Sequence, residues 1–145
     1  MTRSQARFQH LANLLVGVTG IVYAWMRYVS VPADPYAVVN HPLQPFFLHA
    51  HVLAAPLLIF AGGWIWSDHV WKRVRSRFRA RRPTGLALFC LFVPMGASGY
   101  LLQTSSSPLW RTVWIWGHVA TSLAWIVAYL AHQLSPRSYS SNSAP

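Results

Sequence analysis

The chain has 145 residues, 54% of them hydrophobic and only 10% charged, with a formal net charge of +10. A water-soluble domain carries about 25% charged residues, so this balance excludes an ordinary soluble enzyme. A lone cysteine, Cys90, excludes an internal disulfide and any Cys-x-x-Cys motif.

Four apolar runs follow one another, at about residues 8–31, 46–71, 85–103 and 109–134. Each reaches the roughly 20 residues that a membrane-spanning helix needs. The first run is longer than a signal-peptide core of about 7–15 residues and contains Trp25 and Arg27, so it reads as a retained helix. The loop at 32–45 is proline-rich, which stops helices. The second run leads into the basic stretch Lys72, Arg73, Arg75, Arg77, Arg79, Arg81 and Arg82. Pro83 is placed to open the third helix, and Pro94, Gly96 and Gly99 are expected to interrupt it while permitting close approach of another group. Cys90 is expected to pack in that helix. Pro108 stands near the start of the fourth. The expected fold class is all-α integral membrane, a bundle of four transmembrane helices over 1–134, with a disordered tail at 135–145.

The cations define a topology. Arg3 and Arg7 precede the first run, seven cations separate the second from the third, and Arg137 follows the fourth, whereas the 32–45 loop has none. The positive-inside rule then puts both termini, and with them the tail, in the cytoplasm. A basic loop this short between two spans indicates topology and contact with the lipid bilayer, not nucleic-acid binding. Tyr28, Trp71, Trp110, Trp114 and Trp116 lie near run ends, where interfacial aromatic belts form.

Within the spans, histidine carries the chemistry, because ionisable side chains there are costly and tend to be functional. His118 and His132 lie 14 residues apart (132 − 118) on the fourth run. At about 100° per residue they share one face, with an axial separation of about 21 Å. That spacing suits two metal centres at two depths rather than one shared ion. His10, near the inner start of the first run, matches the depth of His132, and His51, near the outer start of the second, matches His118. A haem iron held by two imidazoles has no open position, so its work is electron transfer. The expected ligands are therefore His10 and His132 for an inner haem and His51 and His118 for an outer one. Thr121, Ser122, Trp125 and Tyr129 share the face between the two helix-four histidines and are expected to line the porphyrin edges or the gap between them. His49 is an alternate to His51, and the two point about 160° apart. His69, about 27 Å along the helix from His51, is a weaker alternate to His10 and is expected at the inner headgroups beside Asp68. In the 32–45 loop, Asp34 and His41 fit either a solvated role or proton transfer from a quinol. Arg27 fits pairing with a haem propionate or snorkelling to the interface.

Arg7-x-x-His10 in "RFQHLANLL", Thr19-Gly20, and the histidine pair on the fourth helix resemble the bacterial four-helix cytochrome b561 group. They also resemble the cytochrome b subunits of formate dehydrogenases and hydrogenases. The resemblance covers about residues 7–134. It implies two haem b groups held by His10, His51, His118 and His132. It implies a multi-pass protein of the bacterial inner (cytoplasmic) membrane that exchanges electrons between quinone or quinol and a redox partner protein or dehydrogenase subunit. The chain would then be an electron-transfer cytochrome b, alone, with further copies of itself, or as the quinone-reactive membrane subunit of an oxidoreductase. The family has a small residue four positions after the helix-two ligand. Ala55 stands there after His51, and Leu53 after His49, which favours His51. The rival class is a non-redox membrane anchor or assembly subunit whose histidines only hydrogen-bond. A transporter is disfavoured by four helices with only 2 acidic residues.

Overall fold

The structure, a computed structural model, describes residues 1–32, 34–76 and 81–135. The expected tail at 135–145, apart from Ser135, and positions 77–80 of the basic loop lie outside the described residues. Regular structure among the described residues is helical throughout. It comprises α1 (Arg3–Tyr28), α2 (Gln44–Trp64), a π-helical turn (Trp66–Trp71), the short α3 (Lys72–Arg75), α4 (Arg82–Thr104) and α5 (Pro108–Leu134). Helices α2, α4 and α5 are long and apolar enough to cross a membrane, which marks a multi-pass membrane protein. Helix α1 has the length, at 26 residues, but Arg3, Gln5, Arg7, Gln9, His10, Asn13 and Arg27 lower its mean hydropathy.

The chain forms two compact units, Met1–Asp68 and His69–Pro145. In the first, α1 packs along α2 as an antiparallel hairpin. A capping box starts α1: the Gln5 backbone N–H donates to Thr2 Oγ1 at 3.2 Å, and the Thr2 N–H donates to Gln5 Oε1 at 2.7 Å. This cap begins the helix about a turn before the apolar run itself. Gln5 Nε2 also donates to the Trp64 carbonyl at 3.2 Å, tying the start of α1 to the end of α2. Ala12, Ala54 and Ala61 are buried, and their small side chains let the two backbones approach closely. Phe8 sits edge-on to Phe60 and Trp64, with ring centroids 5.7 and 5.8 Å away.

Helix α2 ends at Trp64, short of the apolar run's end at Trp71. Gly62 and Gly63 weaken the helix there, and the backbone continues as the wider π-helical turn. In the second unit α4 packs on α5. Pro83 and Pro108 each occupy the first turn of their helix, as expected. Helix α4, however, runs unbroken through Pro94, as α2 does through Pro56, so the expected interruption is absent. A proline removes one backbone donor, and a helix within a span tolerates that loss. Cys90 is exposed rather than packed in a core. So are Leu53, Val93 and Val127, at 75%, 66% and 68% exposure, a surface suited to lipid.

Candidate functional site: histidines seated on Ser/Thr-Gly pairs

Of the eight glycines, three follow a hydroxyl residue: Thr19-Gly20, Thr84-Gly85 and Ser98-Gly99. Each of these three pairs receives a histidine from the neighbouring helix of its own hairpin. The His51 ring lies on Gly20, His118 on Gly99 and His132 on Gly85. A Cβ built at Gly20 would meet His51 Cε1 at 2.8 Å, and one at Gly99 would meet His118 Cε1 at 3.1 Å. Glycine is therefore required at position 20 by a ring that occupies the volume of a methyl group. At Gly85 the nearest His132 atom stands at 3.5 Å, an ordinary contact.

The Nδ1 side of each ring faces the clamping helix. His51 Nδ1 lies 3.1 Å from the Val16 carbonyl and 3.3 Å from Thr19 Oγ1. His118 Nδ1 lies 3.1 Å from the Met95 carbonyl and 3.3 Å from Ser98 Oγ. The two arrangements coincide: a hydroxyl residue, the carbonyl three residues before it, and the glycine after it. The Ser98 hydroxyl donates to the same Met95 carbonyl at 3.0 Å, whereas the Thr19 hydroxyl donates mainly to the Leu15 carbonyl at 2.6 Å and lies 3.2 Å from that of Val16. A carbonyl oxygen only accepts, so the Nδ1 facing it donates, and in the neutral ring the lone pair then resides on Nε2. That tautomer is the one a metal-ligating histidine adopts when its other nitrogen is fixed by a hydrogen bond.

His132 departs from this pattern. Its Nδ1 meets Thr84 Oγ1 at 3.0 Å, and the Thr84 hydroxyl donates to the Arg81 carbonyl at 3.1 Å. The carbonyl of Arg81 instead accepts the Gly85 backbone N–H at 3.0 Å. Beside this pair runs an apolar groove of about 590 Å³ between α4 and α5, where Ala87, Ala124 and Ala128 leave space. A guanidinium closes the end of the hairpin: Arg81 Nε donates to the Ser135 carbonyl at 2.8 Å, and its Nη2 to the carbonyls of Gln133, at 3.1 Å, and Ser135.

The other candidates are placed differently. His10 is exposed on α1 and His49 on α2, while His51 turns inward onto α1. His69 lies in the π-helical turn, partly buried, and burial with the nearby Arg73 charge lowers its pKa below the ordinary histidine value. Trp125, expected to line a porphyrin edge or the gap between haems, is buried and packs against Phe92 of α4, with ring centroids 5.8 Å apart. Thr121 bonds back within its own helix, to the Gly117 carbonyl at 2.7 Å. In the 32–45 loop, Asp34 Oδ1 accepts the Tyr36 N–H at 2.9 Å and His41 Nδ1 accepts the Leu43 N–H at 3.1 Å, so both shape local turns.

Among the described residues, no three His, Cys, Asp or Glu side chains converge as a site for a bare metal ion. The arrangement that is built anchors the His51 and His118 imidazoles through Nδ1 on glycine-lined helix faces, which makes Nε2 the nitrogen that would bind a metal. No protein-family model, curated protein or solved structure matches this sequence.

Proposed function

We propose that this chain is a four-span membrane cytochrome b that carries electrons across the bilayer through two non-covalent b-type haems. The observation that carries the reading is the repeated clamp, in which His51 and His118 present Nδ1 to a backbone carbonyl and a hydroxyl beside a glycine. The clamp does two things that a haem ligand requires. It fixes the tautomer that puts the lone pair on Nε2, and it holds the ring plane at the helix surface. Held by two imidazoles, such a group would supply reversible one-electron transfer and no open site for oxygen chemistry. His51 and His118 would hold one haem, and His10 and His132 the other.

The chain's own residues set the surroundings. The glycines bring each ring close to the neighbouring backbone, and the apolar helix faces exclude water. The basic stretch that includes Lys72, Arg73, Arg75, Arg81 and Arg82 favours the cytoplasmic side. Helix α1 serves as the fourth span in this reading, with its polar positions confined mostly to the first half of the helix. Quinone or quinol on one side, and a redox protein or a dehydrogenase subunit on the other, would be the exchange partners in a bacterial inner membrane.

Hydrogen-bonded packing alone, in a non-redox anchor, is the rival reading, and the same Nδ1 bonds support it. A reduced-minus-oxidised optical spectrum of the purified protein separates the two. The α band of a b-type haem supports the cytochrome, and a featureless spectrum supports the anchor.

A further inference from the structure

The three clamps are not equivalent, and the difference falls on the two histidines of α5. His118 Nδ1 has a backbone carbonyl at 3.1 Å as well as a hydroxyl. Among the described residues, His132 Nδ1 has the Thr84 hydroxyl alone, at 3.0 Å. The looser glycine contact agrees: 3.5 Å at Gly85 against 3.1 Å at Gly99. We propose that Thr84 is a positioning residue for His132 and that, with this hydroxyl in place of the backbone carbonyl that His118 has, His132 is the weaker electron donor of the α5 pair and the haem it would ligate the more oxidising. Electrons would then settle at the end of the hairpin where α4 begins and α5 ends. The inference rests on the di-haem reading and adds a direction to it.

The physical chain is short. A carbonyl is a strong acceptor, and an Nδ1–H bonded to it gives the imidazole partial imidazolate character. Such a ring donates more strongly through Nε2 and stabilises oxidised iron. A hydroxyl whose own proton is committed to the Arg81 carbonyl accepts through a lone pair, with less charge to offer. The guanidinium of Arg81 bonds the Gln133 and Ser135 carbonyls, one and three residues after His132, and a fixed cation there favours the reduced state. Both effects have the same sign. His51 resembles His118 in having the carbonyl as well as the hydroxyl.

The test is a spectroelectrochemical titration of the purified full chain and three variants. Thr84→Val keeps the shape and removes the acceptor, Thr84→Ser keeps the acceptor, and Ser98→Ala removes a hydroxyl whose histidine retains the Met95 carbonyl. The expected result is that Thr84→Val raises one midpoint, the higher of the two, while Thr84→Ser matches the unmodified chain. Ser98→Ala should move the lower midpoint by less than Thr84→Val moves the higher. Loss of one haem in Thr84→Val, with both retained in Thr84→Ser, also supports the role of the hydroxyl. Equal shifts in Thr84→Val and Ser98→Ala, a Thr84→Val shift of the lower midpoint, or no shift would overturn the inference and leave the di-haem reading intact. Loss of one haem from both Thr84 variants would overturn it in the same way. Absence of haem from the unmodified chain would overturn both.

Discussion

At the scale of single residues, the glycine contacts rank the sites. An alanine at position 20 places a methyl group 2.8 Å from His51 Cε1, closer than atoms pack. Overpacking of this kind costs about 1–3 kcal/mol, and it pushes the ring off its carbonyl. Gly20→Ala should therefore lose one haem or broaden its spectrum, whereas Gly85→Ala, with 3.5 Å available, should keep both. Haem content per chain measures the contrast, and equal loss in the two variants would count against the clamp. A second expectation separates neighbours: His51→Ala should lose a haem, and exposed His49→Ala should not. The reverse outcome would move the ligand to His49. Part of this was legible beforehand. The 14-residue spacing of His118 and His132 places them on one face, and the structure turns both onto α4. Thr19-Gly20 stands out in the sequence and Gly99 is expected to permit a close approach, but the histidine seated on each is not legible there, although Gly85 and Gly99 repeat that spacing (99 − 85 = 14) and each follows a hydroxyl. Which ring meets which glycine depends on the register of a hairpin, and a one-dimensional pattern does not contain that register. Trp125 shows the same limit: its packing against Phe92 also depends on that register.

At the scale of elements, boundaries departed from the apolar runs wherever a backbone device intervened. The capping box extended α1 toward the N-terminus, and Gly62-Gly63 ended α2 early. The start of α4 depends on Arg81, whose φ of 58° is left-handed, a conformation costing a non-glycine residue on the order of 1 kcal/mol. The guanidinium offsets this by bonding carbonyls at the C-terminal end of α5, where a cation also favours the helix dipole by about 0.3–1 kcal/mol. Arg81→Gln should leave the spans folded but fray the last turn of α5. Hydrogen–deuterium exchange should quicken in the peptide around residues 130–135 and not in the α1–α2 hairpin. Unchanged exchange there would remove the clasp from the account.

At the scale of the whole molecule, composition excluded an ordinary soluble domain, and the long apolar runs marked a helical membrane protein, because a lipid-exposed backbone must satisfy its own polar groups. The charge asymmetry predicts an orientation. A cysteine introduced at Tyr36, with Cys90 replaced by alanine, should react with an impermeant thiol reagent from the side opposite the basic loop. Reaction only after lysis would invert the topology. The central claim, two haems held by His10, His51, His118 and His132, is tested most directly by haem stoichiometry. A pyridine haemochrome assay against protein concentration should give two haems for the unmodified chain and one each for His118→Ala and His132→Ala. A ratio near zero in the unmodified chain, or two haems retained in both variants, would contradict it.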